Sequence, residues 1–226
     1  MSRANRRTKD PAPPDGRSTR WDNHREARRA ELVAAAVTAM HKYSREASID
    51  EIARVAGVSK PVLYRYFSDK SDLHAAVGQW GASLVVERLA PAFESRLPLR
   101  QRVAKAVSAY LEVIEEHPQV FLLLVQHRVN STTDPLADGK AAVAATLTQV
   151  ISDAMSELGI DTGGAEPWAH AVVGLGLSTG EWYLERKTMS RAEVSSYLTE
   201  FVWGALVGIS RNHGITLTAE TVPRSP

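Results

Sequence analysis

The 226-residue chain has no cysteine. Disulfides, thiolate nucleophiles and cysteine-held metals are therefore excluded, and the composition suits a reducing compartment such as the cytoplasm. No uninterrupted apolar run approaches the roughly 18 residues of a membrane span. No apolar signal segment is visible at the N-terminus, so a cytoplasmic chain without a membrane partner is expected. Strand-like alternation bounded by hairpin turns is missing as well. The histidines (His24, His41, His74, His117, His127, His170 and His213) show no H-E-x-x-H or comparable ligand spacing. No metal and no cofactor are expected. His127 and His170 stay open as pocket residues, the plainer reading being scattered surface or core-edge histidines.

Net charge is only +1, but it is unevenly spread. Residues 1–70 hold 15 Lys/Arg against 9 Asp/Glu, and the remainder holds 12 against 17. A basic front and an acidic body suggest that the front alone meets a polyanion. Residues 1–20 contain three prolines and few large apolar side chains, which predicts a disordered basic tail. That tail either touches phosphate or merely solvates the chain.

What is present is helical periodicity. From Arg25 to about Tyr43, Val33, Ala36, Val37 and Met40 recur at i, i+3, i+4, i+7 and share one face. Ser48 and Glu51 form an S-x-x-E capping box, so a short helix should begin at Ile49 and stop at Gly57. Ser59 should cap another, with Pro61 tolerated in its first turn. Ser68 or Asp69 should cap a fourth that runs to about Leu89, before Pro91. The rest reads as further helices, including 99–117, one opening at Pro118, one capped at Asp134–Pro135, Pro167 to about Glu185, and Arg191 to about His213, the last starting at a second capping box, Ser190–Glu193. The expected fold is all-α with about nine helices.

Two short helices joined by "GVS" fit a helix-turn-helix, whose second helix enters the DNA major groove. At 100° per residue Leu63 and Phe67 share an inner face, while Pro61, Tyr64 and Arg65 point the opposite way. Lys60, Val62 and Tyr66 lie on the shoulders. Hydroxyls of Ser59, Tyr64 and Tyr66 suit phosphate oxygens, and Lys60 and Lys70 suit phosphate or, for Lys60, a guanine edge. Pro61 and Val62 suit a thymine methyl. Lys70 sits at the start of a helix, whose dipole also favours phosphate.

The stretch "SIDEIARVAGVSKPVLYRYFSDKSDL" resembles the DNA-binding signature of the tetracycline-repressor (TetR) family of bacterial transcription regulators. The resemblance is close over about residues 25–75. It implies that Ser48, Ser59, Lys60, Pro61, Val62, Tyr64, Tyr66 and Lys70 face a double-stranded DNA operator. It departs from the family at "MHKYSREAS", where Ser44–Arg45 replace a glycine-aromatic pair. The implied organisation is a helix-turn-helix domain over 21–70 and an effector-binding and dimerisation domain over 71–226. A small-molecule effector is implied as partner. Candidate pocket walls are Tyr110, Phe121, Val125, Trp168 and Trp182; simple core packing is the competing reading.

"FVWGALVGI", Phe201 to Ile209, is apolar on every side and must be covered all round. Burial within the subunit is one explanation. A homodimer interface made by the last two helices is the other, which the resemblance favours. Gly174, Gly176 and Gly180 would permit close helix contact. "GLSTG", Gly176 to Gly180, matches the nucleophile-elbow pattern, but that motif needs a strand-turn-helix setting. No catalytic residue is therefore assigned.

Overall fold

A computed structural model describes residues 16–94, 96–126 and 137–222. Among them the chain forms nine α-helices and no strand: α1 Gly16–Lys42, α2 Ile49–Ala56, α3 Lys60–Tyr64, α4 Lys70–Phe93, α5 Leu99–Glu116, α6 Pro118–Gln126, α7 Ala137–Glu157, α8 Ala165–Arg186 and α9 Arg191–Asn212. A single 3-10 turn, Thr162–Gly164, leads into α8. The class is all-α. No helix among the described residues is long and apolar enough to cross a membrane.

Two boundaries differ from expectation. Helix α1 begins at Gly16, so residues 16–20 are helical rather than part of a disordered tail. Pro14 is the last proline before Pro61, so nothing after it breaks the helix. Residues 1–15 and the expected Asp134–Pro135 cap lie outside the described residues. Helix α4 runs through Pro91 to Phe93 instead of stopping near Leu89. Proline there removes one donor in the last turn, and burial of Leu89 and Ala92 holds the turn in place. The Phe93 carbonyl, left without an intrahelical donor, accepts a hydrogen bond from the Arg102 guanidinium.

The front of the chain folds around Leu32, Val37 and Met40 of α1, Ile52 of α2 and Leu63 of α3. Leu73 and Val77 of α4 and Val120 and Leu123 of α6 complete the same cluster. The core of the front part therefore continues across residue 70 into the larger part. Arg29 fastens it from outside. Its guanidinium donates to the Tyr66 carbonyl and, at 2.7 Å, to Asp72. It also lies 4.3 Å from the centre of the Phe67 ring. Burial opposes ionisation of Asp72, but hydrogen bonds from Arg29 and from the Ser68 backbone outweigh it and hold the carboxyl below its usual range.

Helix α8 approaches α5 and α6 through its glycines. A Cβ at Gly180 would sit 2.5 Å from the Phe121 ring and from the Tyr110 hydroxyl oxygen; one at Gly176 would be 3.6 Å from Tyr110. These two glycines face inward. Only Gly174 of the three has open space above it. Helix α9 starts at the expected capping box of Ser190 and Glu193. Its apolar stretch is only partly covered within the subunit: Val202, Leu206 and Ile209 are half-buried, while Phe201 is 66% exposed.

Arg29→Met should lower unfolding free energy by about 1–2 kcal/mol in a denaturant titration at pH 7. Arg28→Met, which breaks only an exposed pair with Glu31, should change it by about 0.5 kcal/mol or less. The Asp72 carboxyl is lowered in the folded state, so its stabilisation is present at neutral pH and is lost as pH falls below about 4. The gap between wild type and Arg29→Met should shrink there. Gly180→Ala should cost about 1–3 kcal/mol, because Tyr110 and Phe121 must move; an unchanged midpoint would contradict the close approach.

Candidate nucleic-acid interface and effector cavity

The interface is built on α2, the turn after it, and α3. Ser48 caps α2 with both halves of a capping box. Its backbone N–H donates to the Glu51 carboxylate at 2.8 Å and its hydroxyl oxygen accepts from the Glu51 N–H at 3.3 Å. The backbone bond to the carboxylate, with one that the Ser48 hydroxyl donates to it at 2.8 Å, holds the Glu51 carboxyl below its usual range. Gly57 ends α2 with φ 64°, the left-handed conformation that lets the chain turn sharply. Ser59 precedes α3 in an extended conformation, but its hydroxyl makes no capping bond. The cap expected of Ser59 is thus absent; Pro61 lends the first turn its fixed φ instead.

Leu63 and Phe67 are buried at 2% exposure each and anchor α3 inward. Ser59, Lys60, Pro61, Tyr64 and Arg65 are exposed, and Val62, Tyr66 and Lys70 are half-buried. Tyr64 is half exposed at 50%. Backbone bonds from Arg65, Tyr66 and Phe67 to Val62 and Leu63 extend the turn past the end of α3. Asp69 caps α4 at 2.8 Å and places Lys70 in its first turn. The Lys70 ammonium donates to the Glu46 carbonyl at 3.2 Å, which brings the start of α4 beside the turn that carries Ser48.

Two charged residues escaped the sequence reading. Asp50 lies 2.7 Å from the Lys60 ammonium, and the hydrogen bond and charge of Asp50 raise the Lys60 pKa. The pair is exposed, so it holds Lys60 only weakly. Arg29, through Tyr66, Phe67 and Asp72, fixes the exit of α3. Both contacts cross between elements, so local periodicity carries no sign of them.

Behind this front, α4 to α9 border an apolar cavity of about 310 Å³. Tyr110, Phe121 and Trp168 border it. Val125 does not; it is buried in the neighbouring cluster with Leu111, Ile114 and Tyr183. Trp182 does not either; it is 37% exposed on the outer side of α8. The missed wall comes from α7, where Val143, Leu147 and Ile151 face inward. The Tyr110 hydroxyl donates to the Gly176 carbonyl at 2.6 Å, and burial pushes its phenol far above the usual value, so it stays a donor. Burial and a hydrogen bond to Glu115 push Tyr183 up to about 12. Ser178 is exposed in the middle of α8, without the strand that a nucleophile elbow requires.

Both halves find counterparts among known proteins. The domain described as bacterial regulatory proteins, tetR family, matches residues 32–77. The tetracyclin repressor-like C-terminal domain matches residues 88–216. An uncharacterized HTH-type transcriptional regulator of Mycobacterium tuberculosis is 36% identical over 197 residues, covering 86% of this chain and 84% of that protein. The HTH-type transcriptional activator FasR of Mycolicibacterium smegmatis is 30% identical over 189 residues, covering 80% and 84%. A tetR-family regulator from Streptomyces coelicolor superimposes with a TM-score of 0.67 at 28% identity, over 83% of each chain. The fold is shared with the regulator FadR from Bacillus subtilis, solved in complex with stearoyl-CoA, at a TM-score of 0.62 and 15% identity over 76% and 95%. With the helix-turn-helix front and the helical body both matched, this chain belongs to the TetR family of bacterial regulatory proteins and is a transcriptional regulator.

Proposed function

We propose that the chain acts in the cytoplasm as a homodimeric repressor that binds a palindromic double-stranded DNA operator and is released by a small molecule with a long apolar part. The observation that carries the DNA reading is the split of α3 into a packed face and a bare one. Leu63 and Phe67 satisfy the core with Tyr66 half-buried against it, which leaves Ser59, Lys60, Pro61, Val62 and Tyr64 toward the groove. Tyr64, Tyr66, Ser48 and Lys70 position the head on phosphate. Lys60, Pro61 and Val62 read bases.

A second copy supplies the cover that α9 lacks. Tyr197 and Phe201 are each 66% exposed, and a Cβ at Gly204, Gly208 or Gly174 would meet nothing within 4 Å. A large bare apolar face of this kind marks an interface. Two heads on one duplex then sit one helical turn, about 34 Å, or more apart.

The effector class rests on the cavity, whose walls are almost wholly apolar. The stearoyl-CoA held by FadR shows that a relative of this fold takes such a ligand. Release requires that the ligand bind the non-operator spacing of the heads more tightly. A second reading, activation, is favoured by the relative FasR, which is named an activator. Transcription from a promoter carrying the operator separates them: added protein lowers the transcript under the first and raises it under the second.

In an anisotropy titration with DNA from upstream of its own coding region, Tyr64→Phe should weaken binding by about 1 kcal/mol. Lys60→Ala should cost about 1–3 kcal/mol on the operator and less on versions altered at the contacted base. An equal loss on every sequence would assign Lys60 to phosphate, and unaltered binding by both variants would contradict the placement of α3. Adding stearoyl-CoA to the preformed complex should release the DNA, and Ala106→Trp, which fills the cavity from α5, should block that release. Release that persists in Ala106→Trp would place the effector elsewhere.

A further inference from the structure

The effector cavity is lined by helices and, after α9, by one residue of a non-helical segment. In the helical lining Tyr110 bonds to the Gly176 carbonyl and the Phe121 ring lies against Gly180. Phe93, Leu99, Arg102 and Trp168 also border the cavity, together with Leu217. Leu217 comes from the segment that follows α9, and it is 8% exposed while Thr216, Thr218, Ala219 and Glu220 beside it are exposed.

That segment leaves α9 at Gly214, whose φ of 76° turns the chain back over the bundle. The Ile215 N–H bonds to the Ser210 carbonyl at 2.9 Å, and the Ile215 side chain packs on the cluster of Met155, Ile160 and Trp168. A tight turn follows, in which the Thr218 N–H donates to the Thr221 hydroxyl at 2.8 Å and the Thr221 N–H to the Thr218 carbonyl at 3.0 Å. The turn presents the Thr221 carbonyl to the N–H of Leu99 at 2.9 Å. Leu99 opens α5, so its donor has no partner within its own helix. The strap thus runs from the end of α9 to the start of α5, and Ser210, Leu217 and Leu99 all border the cavity it crosses.

A non-helical segment held by two apolar side chains and a few backbone bonds to α9 and α5 opens at lower cost than the separation of packed helices. We propose that residues 214–222 are the gate of the effector cavity, and that an apolar ligand enters and leaves by displacing Leu217. The proposal rests on the cavity being the effector site.

The gate can be locked. Because the chain has no cysteine, Leu99→Cys with Thr221→Cys allows a single disulfide, between residues whose backbones already touch. The probe is 1-anilinonaphthalene-8-sulfonate, followed by stopped-flow fluorescence, and the signal counted is the part that Ala106→Trp abolishes. The oxidised protein should take up and release the probe at least tenfold more slowly than the same protein after dithiothreitol, at an equilibrium affinity within about twofold. Leu217→Ala should act in the opposite sense, with dissociation at least threefold faster. Equal rates in oxidised and reduced protein, with the probe bound, would overturn the gate and leave the effector cavity standing. No cavity-bound signal even in the unaltered protein would overturn the cavity reading, and the gate with it.

Discussion

Helix α4 has to satisfy two interiors at once. Near its start Leu73 and Val77 fill the core of the DNA-binding head. Further along, Val85, Leu89 and Phe93 border the cavity. A helix packed at both ends cannot shift at one without disturbing the other, because close-packed interiors have few intermediate arrangements. Coupling between operator and effector needs no further device, only a ligand that prefers one position of α4. The unexpected length of α4 fits this role. Had it ended before Pro91, Phe93 would not reach the cavity and Arg102 would lose the carbonyl it caps.

The head must move as one piece for that shift to matter. Helix α3 is only five residues long and could not hold its own shape in water. Leu63 and Phe67 tie it inward, and Arg29 ties its exit to the first turn of α4 through Tyr66, Phe67 and Asp72. The α1–α2 turn is fastened to the body as well, since the Arg45 N–H donates to the Gln119 side chain at 3.2 Å.

The local signals were legible in the sequence. Both capping boxes, the left-handed Gly57 and the buried faces of α1 and α2 follow from residue type and spacing within a few positions. So does the division of α3 into Leu63 and Phe67 against Tyr64 and Pro61. What could not be read are contacts that join distant segments. Arg29 with Asp72, Lys60 with Asp50 and Leu99 with Thr221 have no period to betray them. The pocket reading was split for the same reason. Aromatic character marked Tyr110, Phe121 and Trp168, yet it also marked Trp182, which faces outward. Gly176 and Gly180, read as permitting close helix contact, do so toward Tyr110 of α5 and Phe121 of α6. Sequence spacing identifies a helix face but not which neighbour meets it.

The central claim is that one rigid lever links the cavity to the spacing of two DNA-binding heads. A spin label on a single cysteine introduced at Arg65 reports that spacing in the dimer by double electron–electron resonance. Operator DNA should select a narrow distance distribution, and filling the cavity with an apolar ligand should move the distribution to a second, distinct distance. A distribution that stays the same while the ligand demonstrably occupies the cavity would contradict the account.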